Sequence, residues 1–344
     1  MSEYNDFPDL FPGALDDTRP ETEKEKDYKA EEVASFGAVT WAEKRFENIE
    51  TFPVRNQNGS GSCVSQSLAL IMGIENYLEE NKFVELSAKD IYVRRSNASP
   101  GMIGVEALNI AKNFGATLET LMPSQNQGET EINIVDRKVS DEQIAKIFKI
   151  KGFLQLPFSI ENIASIIESG RKNGVGKPVM TWYKFPRTEW TALPSLTDST
   201  ADIVHHSVTA VDYGLLNGIK GLFTQDSWGL HSSTQKGLRF IAEPYLKRMT
   251  FCAYVEDLNN NWRDGVPIPT STEKLTKDLR FGMRDPEVMI LQDILKAKQL
   301  FPQTATSTGY FGIITLKAVK AFQSANGLIS DGMVGQKTRE KLNS

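Results

Sequence analysis

Apolar and polar positions along this chain follow two rhythms, and the change comes near residue 178. Before it, Val64, Leu68, Ile71, Met72, Ile74 and Leu78 recur at helical spacing, which predicts a helix over 64–79 with Cys63 at its start. Leu86-Ser87-Ala88-Lys89-Asp90 predicts a further helix start with Ser87 as its cap. Helices are also expected over 105–114, closed by Gly115, and over 159–169, opened by Ser159. The polar stretch 124–142 reads as loop. After Gly176-Lys177-Pro178 the pattern turns to strands: 179–183, 207–213, 221–226, 238–241 and 252–255. A helical half followed by a β-rich half implies an α+β fold with a cleft between the halves.

The two ends behave differently. Residues 1–33 hold eleven Asp/Glu against four Lys/Arg and three prolines, with few apolar residues, and read as an extended acidic arm. Such an arm is either a loose terminus or a short inhibitory or docking segment. Residues 258–276, rich in Asn, Pro and Thr, read as a linker. Beyond it, Thr308-Gly309-Tyr310-Phe311-Gly312-Ile313-Ile314-Thr315 is repeated as Asp331-Gly332-Met333-Val334-Gly335-Gln336-Lys337-Thr338. In each copy a Gly-x-x-Gly turn leads into a helix, and helices over 288–298, 315–326 and 338–342 predict a small three-helix bundle. The expected boundaries are an arm at 1–37, a main domain at 38–257, the linker at 258–276 and the bundle at 277–344.

Bulk charge narrows the classes. A net charge of −5 argues against a basic nucleic-acid binder. No apolar run approaches the roughly eighteen residues needed to cross a bilayer, so no membrane span is expected. Met1 opens an acidic segment and no secretory signal is read there. Two cysteines, Cys63 and Cys252, make no disulfide framework, although their spacing leaves a single bridge open. No His, Cys and Asp set has metal-ligand spacing and no phosphate loop is present, so no cofactor or metal is expected.

The candidate chemistry centres on Gln57-Asn58-Gly59-Ser60-Gly61-Ser62-Cys63. A cysteine at a helix start faces the positive end of the helix dipole, which favours thiolate. Gln57 can bring an amide to the same place, as in an oxyanion hole. Alone, Cys63 is equally a buried structural thiol. A thiolate nucleophile also needs a base and a group to hold it. His206, at the start of one strand, and Asp226, at the end of the next, supply those types, with Trp228 placed to cover their hydrogen bond. His205 precedes the base and is either an ordinary strand residue or part of a substrate cleft. His231 falls in a polar loop.

These segments resemble those of papain-family cysteine peptidases. Val54-Arg55-Asn56-Gln57 through Cys63 keeps the family's spacing of six residues between oxyanion Gln and nucleophilic Cys. The run His206 to Gly214 is similar to the family's His-Ala-Val…Val-Gly-Tyr-Gly strand. Asp226-Ser227-Trp228-Gly229 is similar to its Asn-Ser-Trp-Gly, and Gly237 to Ile241 to the strand that follows. The resemblance covers about residues 38–256. It implies a papain-like two-lobed α+β fold and a catalytic set of Cys63, His206, Asp226 and Gln57 acting on a protein or peptide substrate. The departures are Ser60 for a disulfide-forming Cys, Val64 for an aromatic residue, and Asp226 for Asn. An aspartate would stabilise imidazolium and move the pH optimum upward.

The tail, Leu279 to Leu342, resembles the peptidoglycan-binding-like domain of bacterial and phage wall hydrolases, through Phe281-Gly282, Leu291-Gln292, Gly309 to Gly312, Phe322-Gln323, Asp331-Gly332 and Thr338. From residue 277 the charge is +4, against −9 before it, which suits an anionic wall polymer. Together the resemblances imply a cysteine endopeptidase carried to a bacterial cell wall, envelope or virion. The alternative is a catalytically silent wall-binding or virion protein that keeps the fold.

Overall fold

The computed structural model describes residues 13–27, 29–30, 36–229, 236–258, 274–302 and 309–343. The chain divides into two compact units, Met1–Trp262 and Arg263–Ser344. Most of the expected linker, and His231 with most of its loop, lie outside the described residues.

The first unit is built on helix α1, Cys63–Glu80. Fifteen of its eighteen residues are buried, so it is covered on all sides, as a central helix must be. Asn81 ends it in the left-handed conformation, with its N–H on the Tyr77 carbonyl. Helices α2 (Ala88–Tyr92) and α3 (Gly104–Asn113) pack beside it. The Ser87 hydroxyl accepts from the Asp90 N–H at 3.1 Å, as the expected cap. The stretch expected as loop at 124–142 instead carries two short helices, Glu129–Ile132 and Val139–Ala145. Their apolar content is too small to show periodicity, and they are pinned by the buried Ile132, Ile144 and Ala145.

The second half forms one antiparallel sheet of six strands: β1 (Phe153–Gln155), β2 (Val179–Pro186), β3 (Ile203–Leu216), β4 (Ile219–Gln225), β5 (Leu238–Ala242) and β6 (Met249–Val255), in the order β1-β6-β2-β3-β4-β5. Every expected strand is present. The three-residue β1 was not expected, being too short for an alternation to register. Helix α4, Ile160–Ser169, lays Ile160, Ile163, Ala164, Ile166 and Ile167 against Val179, Tyr183, Val208, Leu222 and Ile241. Leu70, Ile74 and Leu78 of α1 join Val211, Phe223, Leu238 and Phe240 in a separate core. The sheet is therefore covered by apolar residues on both faces, which is why its strands read as nearly continuous apolar runs. Cys252 is buried and both cysteines are free, which closes the possibility of a bridge.

In the second unit, helices α5 (Pro286–Ala297), α6 (Ile313–Ala325) and α7 (Gln336–Leu342) enclose a core of Leu279, Val288, Leu291, Leu295, Phe311, Val319, Phe322 and Val334. The repeat seen in the sequence has a structural counterpart. The buried Gln292 donates to the Tyr310 carbonyl and to Thr315 Oγ1, and accepts from the Gly309 N–H. Gln323 treats Met333, Thr338 and Gly332 in the same way. Each Gly-x-x-Gly turn is thus held by a glutamine from the preceding helix, which satisfies turn groups that burial would otherwise leave unpaired.

Candidate active site

The loop before α1 is fixed by hydrogen bonds along most of its length. The Gly229 N–H donates to the Arg55 carbonyl at 2.9 Å and the Gln57 N–H to the Ser227 carbonyl at 2.9 Å. The Gln57–Cys63 loop is thereby zipped to the segment that follows Asp226. Arg55 is 2 % exposed and reaches Gln66, the Leu86 carbonyl, Glu119 and Ser124. Asn58 and Gly59 turn the chain with φ of 45° and 79°, a conformation these two residue types tolerate best. Ser60 donates to the Gln57 carbonyl at 2.7 Å and shares a hydrogen bond with Ser62 Oγ, also at 2.7 Å, so hydroxyl bonds brace the loop ahead of Cys63.

Gly61, two residues before Cys63, packs without room for a side chain. A Cβ there would lie 2.5 Å from the Gly101 nitrogen and 2.9 Å from the Tyr92 hydroxyl. Its N–H donates to Glu129 Oε2 at 2.7 Å, and Tyr92 donates to Glu129 Oε1 at 2.9 Å. Glu129 comes from the segment expected as loop and was not foreseen as part of the site. Cys63 then begins α1, with Ser62 in the capping position but making no side-chain cap bond.

The sheet brings the other two groups to the same end. β3 and β4 pair with Thr209 opposite Gln225. Asp226, one residue past β4, therefore falls opposite Val208, and His206 lies two residues along β3 at the same end of the pair. The Thr209 hydroxyl donates to the Ser67 carbonyl at 3.3 Å, which ties α1 to β3 one turn beyond Cys63. His206 Nε2 and Asp226 Oδ1 are 2.7 Å apart. The other ring nitrogen, Nδ1, is buried with no hydrogen bond to it, and Cys63 is among the groups acting on the ring. Burial alone would lower the imidazole pKa, but Asp226 and then Cys63 outweigh it and raise it to about 9. Burial would likewise raise the Asp226 carboxyl, yet His206 and Arg239 hold it well below the usual carboxylate range.

The structure brings His206 and Asp226 into contact, with Cys63 among the groups acting on the same ring. Gln57 is fully buried, with Oε1 accepting from Ser227 Oγ at 2.8 Å and Nε2 donating to the Ser60 carbonyl at 2.6 Å. That leaves one Nε2 hydrogen uncommitted among these bonds. Trp228 lies over the base, its ring centroid 4.5 Å from that of His206.

Two further residues at the site were not foreseen. Arg239 Nε donates to Asp226 Oδ2 at 2.6 Å, and Trp190 Nε1 donates to the same oxygen at 3.0 Å. A signal for Arg239 was present: a cation inside the apolar run Leu238 to Ile241 must have a buried partner.

The acidic arm reaches this site. The Met102 N–H donates to the Gly13 carbonyl at 2.7 Å and the Leu15 N–H to the Met102 carbonyl at 3.0 Å, so the arm runs parallel to Met102. Gly13 lies on Gly61 so closely that a Cβ would stand 2.0 Å from the Gly61 oxygen. Asp16 approaches His205 Nδ1 at 3.4 Å and Lys184 Nζ at 3.3 Å. Burial lowers the His205 pKa, with Asp16 opposing and Lys184 adding to the fall. With the arm in place Cys63 and His206 are both 0 % exposed. Among the described residues no group of His, Cys, Asp and Glu is placed to hold a metal, and no helix is long and apolar enough to cross a membrane.

Comparison with known proteins agrees with both halves of the fold. The structure is similar to xylellain, a cysteine protease from Xylella fastidiosa, with a TM-score of 0.58 at 15% identity over 72% of this chain and 97% of that one. It is also similar to digestive procathepsin L 3 of Tenebrio molitor larval midgut, with a TM-score of 0.50 at 18% identity over 72% of this chain and 74% of that one. The first unit thus has the papain-like fold. Residues 284–342 match the family model described as a putative peptidoglycan binding domain. The chain is 32% identical over 88 residues to the N-acetylmuramoyl-L-alanine amidase CwlL of Bacillus licheniformis, 24% of each protein, so it spans about a quarter of that relative.

Proposed function

We propose that this chain is a cysteine endopeptidase acting at a bacterial cell wall or envelope, where residues 277–344 bind peptidoglycan and Cys63, His206, Asp226 and Gln57 cleave peptide bonds. The observation that carries the reading is the buried hydrogen bond from His206 to Asp226 beside the helix start that bears Cys63. In the mechanism the Cys63 thiolate attacks a substrate carbonyl carbon and the C=O pair moves onto oxygen. The Cys63 N–H and the uncommitted Gln57 Nε2 hydrogen stabilise that oxyanion. His206, protonated, gives its proton to the leaving amine as the C–N bond breaks, leaving a thioester. Neutral His206 then takes a proton from water as it attacks the thioester, and Cys63 leaves as thiolate. Asp226 keeps the ring oriented through both halves of the cycle.

The arm supports a latent form of this enzyme. The arm's backbone runs beside Met102 and against Gly61, two residues before Cys63, and its Asp16 meets His205, the neighbour of His206. Displacement of residues 13–16 is therefore the first step of activation. A protein lacking residues 1–16 should cleave unfolded protein and take up an epoxysuccinyl thiol trap at Cys63. Absence of both between pH 5 and 9 would favour the silent, wall-binding alternative. Wall targeting is supported by the family match over residues 284–342 and by the amidase relative. Full-length protein should sediment with purified sacculi, whereas a chain ending at residue 262 should not. Equal sedimentation of the two would remove the targeting claim.

A further inference from the structure

An aspartate in direct contact with the base is a physical problem as well as an orienting device. Deacylation needs neutral imidazole, and a buried carboxylate holds the proton on it. The surroundings of Asp226 bear on that problem. Asp226 is 2 % exposed, Arg239 1 % and His206 0 %. Oδ1 takes His206 Nε2 at 2.7 Å and the Ser227 N–H at 2.6 Å. Oδ2 takes Arg239 Nε at 2.6 Å and Trp190 Nε1 at 3.0 Å. The guanidinium sits 5.2 Å from the Trp190 ring centroid and 5.7 Å from that of Trp228, and the same two rings flank His206 at 5.5 and 4.5 Å. Carboxylate, cation and base thus share one aromatic enclosure.

We propose that Asp226 and Arg239 work as a single unit, in which Arg239 is a positioning residue that offsets part of the carboxylate's charge and so limits how firmly the proton is held on His206 while the ring stays oriented. This rests on the cysteine-peptidase reading. As a pair the two side chains carry no net charge, so His206 meets a weaker pull than a lone buried carboxylate would exert, although Asp226 still favours the protonated ring. Two hydrogen bonds through one carboxylate put the guanidinium within about 6 Å of the ring. At that range its removal should raise the imidazole midpoint by about one to two pH units. The other charged or titratable groups facing His206 are Cys63 from α1 and Tyr183 opposite it on β2. His205, Lys184 and Asp16 form a separate cluster beside it.

The test is an NMR titration of the His206 ring in full-length protein carrying Cys63→Ser, which removes the thiol and makes the result independent of catalysis. The His206 resonance is assigned by its loss in His206→Gln. Arg239→Gln should move the midpoint up by about one to two pH units, Arg239→Lys should return it to within about half a unit of the parent, and Asp226→Asn with Arg239→Gln should bring it below the parent. A midpoint unmoved by Arg239→Gln, or moved equally by Arg239→Lys, would overturn the proposal. Where Arg239→Gln does not fold, thermal unfolding decides. Asp226→Asn alone leaves a buried cation unpaired and should melt below the double variant. Asp226→Asn melting at or above the double variant would contradict the unit. Loss of thiol labelling with this pattern intact would instead count against the peptidase reading alone.

Discussion

Raising the pH from 6.5 to 9.5 should remove a defined part of the stability of the papain-like unit, and His206 is the group responsible. Its pKa rises from 6.5 to about 9 on folding. At about 1.4 kcal/mol per unit of pKa, the folded state gains about 3 kcal/mol from keeping this imidazole protonated. A raised folded pKa means that the gain is complete below pH 6.5 and is lost as the pH climbs through 9. Asp226 is shifted the other way, so its contribution is present above its ordinary value of 3.8 and lost as the pH falls below it. The two are one ion pair and are not added. The assay is urea unfolding of wild type and His206→Gln followed by tryptophan fluorescence. All five tryptophans precede residue 263, so the signal reports the first unit and not the C-terminal one. Subtracting the variant cancels most other titrating groups. The difference in unfolding free energy should narrow by about 3 kcal/mol between pH 6.5 and 9.5. A difference flat to within about 1 kcal/mol would mean that folding does not hold the proton on His206, and the electrostatic account of the site would fail.

Other consequences are open to direct measurement. Gly13→Ala places a methyl against the Gly61 oxygen, so the arm should lift and Cys63 should alkylate at least about tenfold faster, with the melting temperature of the unit little changed; unchanged alkylation would mean the arm does not gate the thiol. Gln57→Ala should lower kcat by about 10²–10³ with a much smaller effect on KM, and a loss confined to KM would remove Gln57 from the oxyanion hole. In the second unit, Gln323→Ala and Gln292→Ala each leave buried turn groups unpaired and should each cost about 2–3 kcal/mol in urea unfolding monitored by far-UV circular dichroism. A large cost at only one of the two would break the structural equivalence of the repeats.

Much of this arrangement was legible in the chain because the relevant signals are local. A cap at Ser87, an apolar face along 64–79 and strands rich in Val, Phe and Ile each announce themselves within a few residues. The positions of Cys63, His206 and Asp226 follow from motifs at a helix start and at strand ends. What escaped depends on contacts distant in sequence. Glu129 reaches Gly61 from a polar segment whose short helices bury few apolar side chains, among them Ile132, Ile144 and Ala145. Trp190 meets Asp226 across thirty-six residues, and nothing in its neighbours indicates where its N–H points. Arg239 stood out as a charge in an apolar strand, but its partner is set by the strand order. The arm is the sharpest case: its composition reads as unordered, yet Gly13, Leu15 and Asp16 find partners on Met102, His205 and Lys184 that only the folded cleft provides.

The central claim, that Cys63 is a nucleophile served by His206, is tested most directly by mass spectrometry of protein lacking residues 1–16 after incubation with an epoxysuccinyl peptide at pH 7. One adduct per chain should appear on Cys63, none on the buried Cys252, and the rate should fall by at least about a hundredfold in His206→Gln. Labelling that is absent, that is shared with Cys252, or that proceeds at the same rate without His206 would contradict the account.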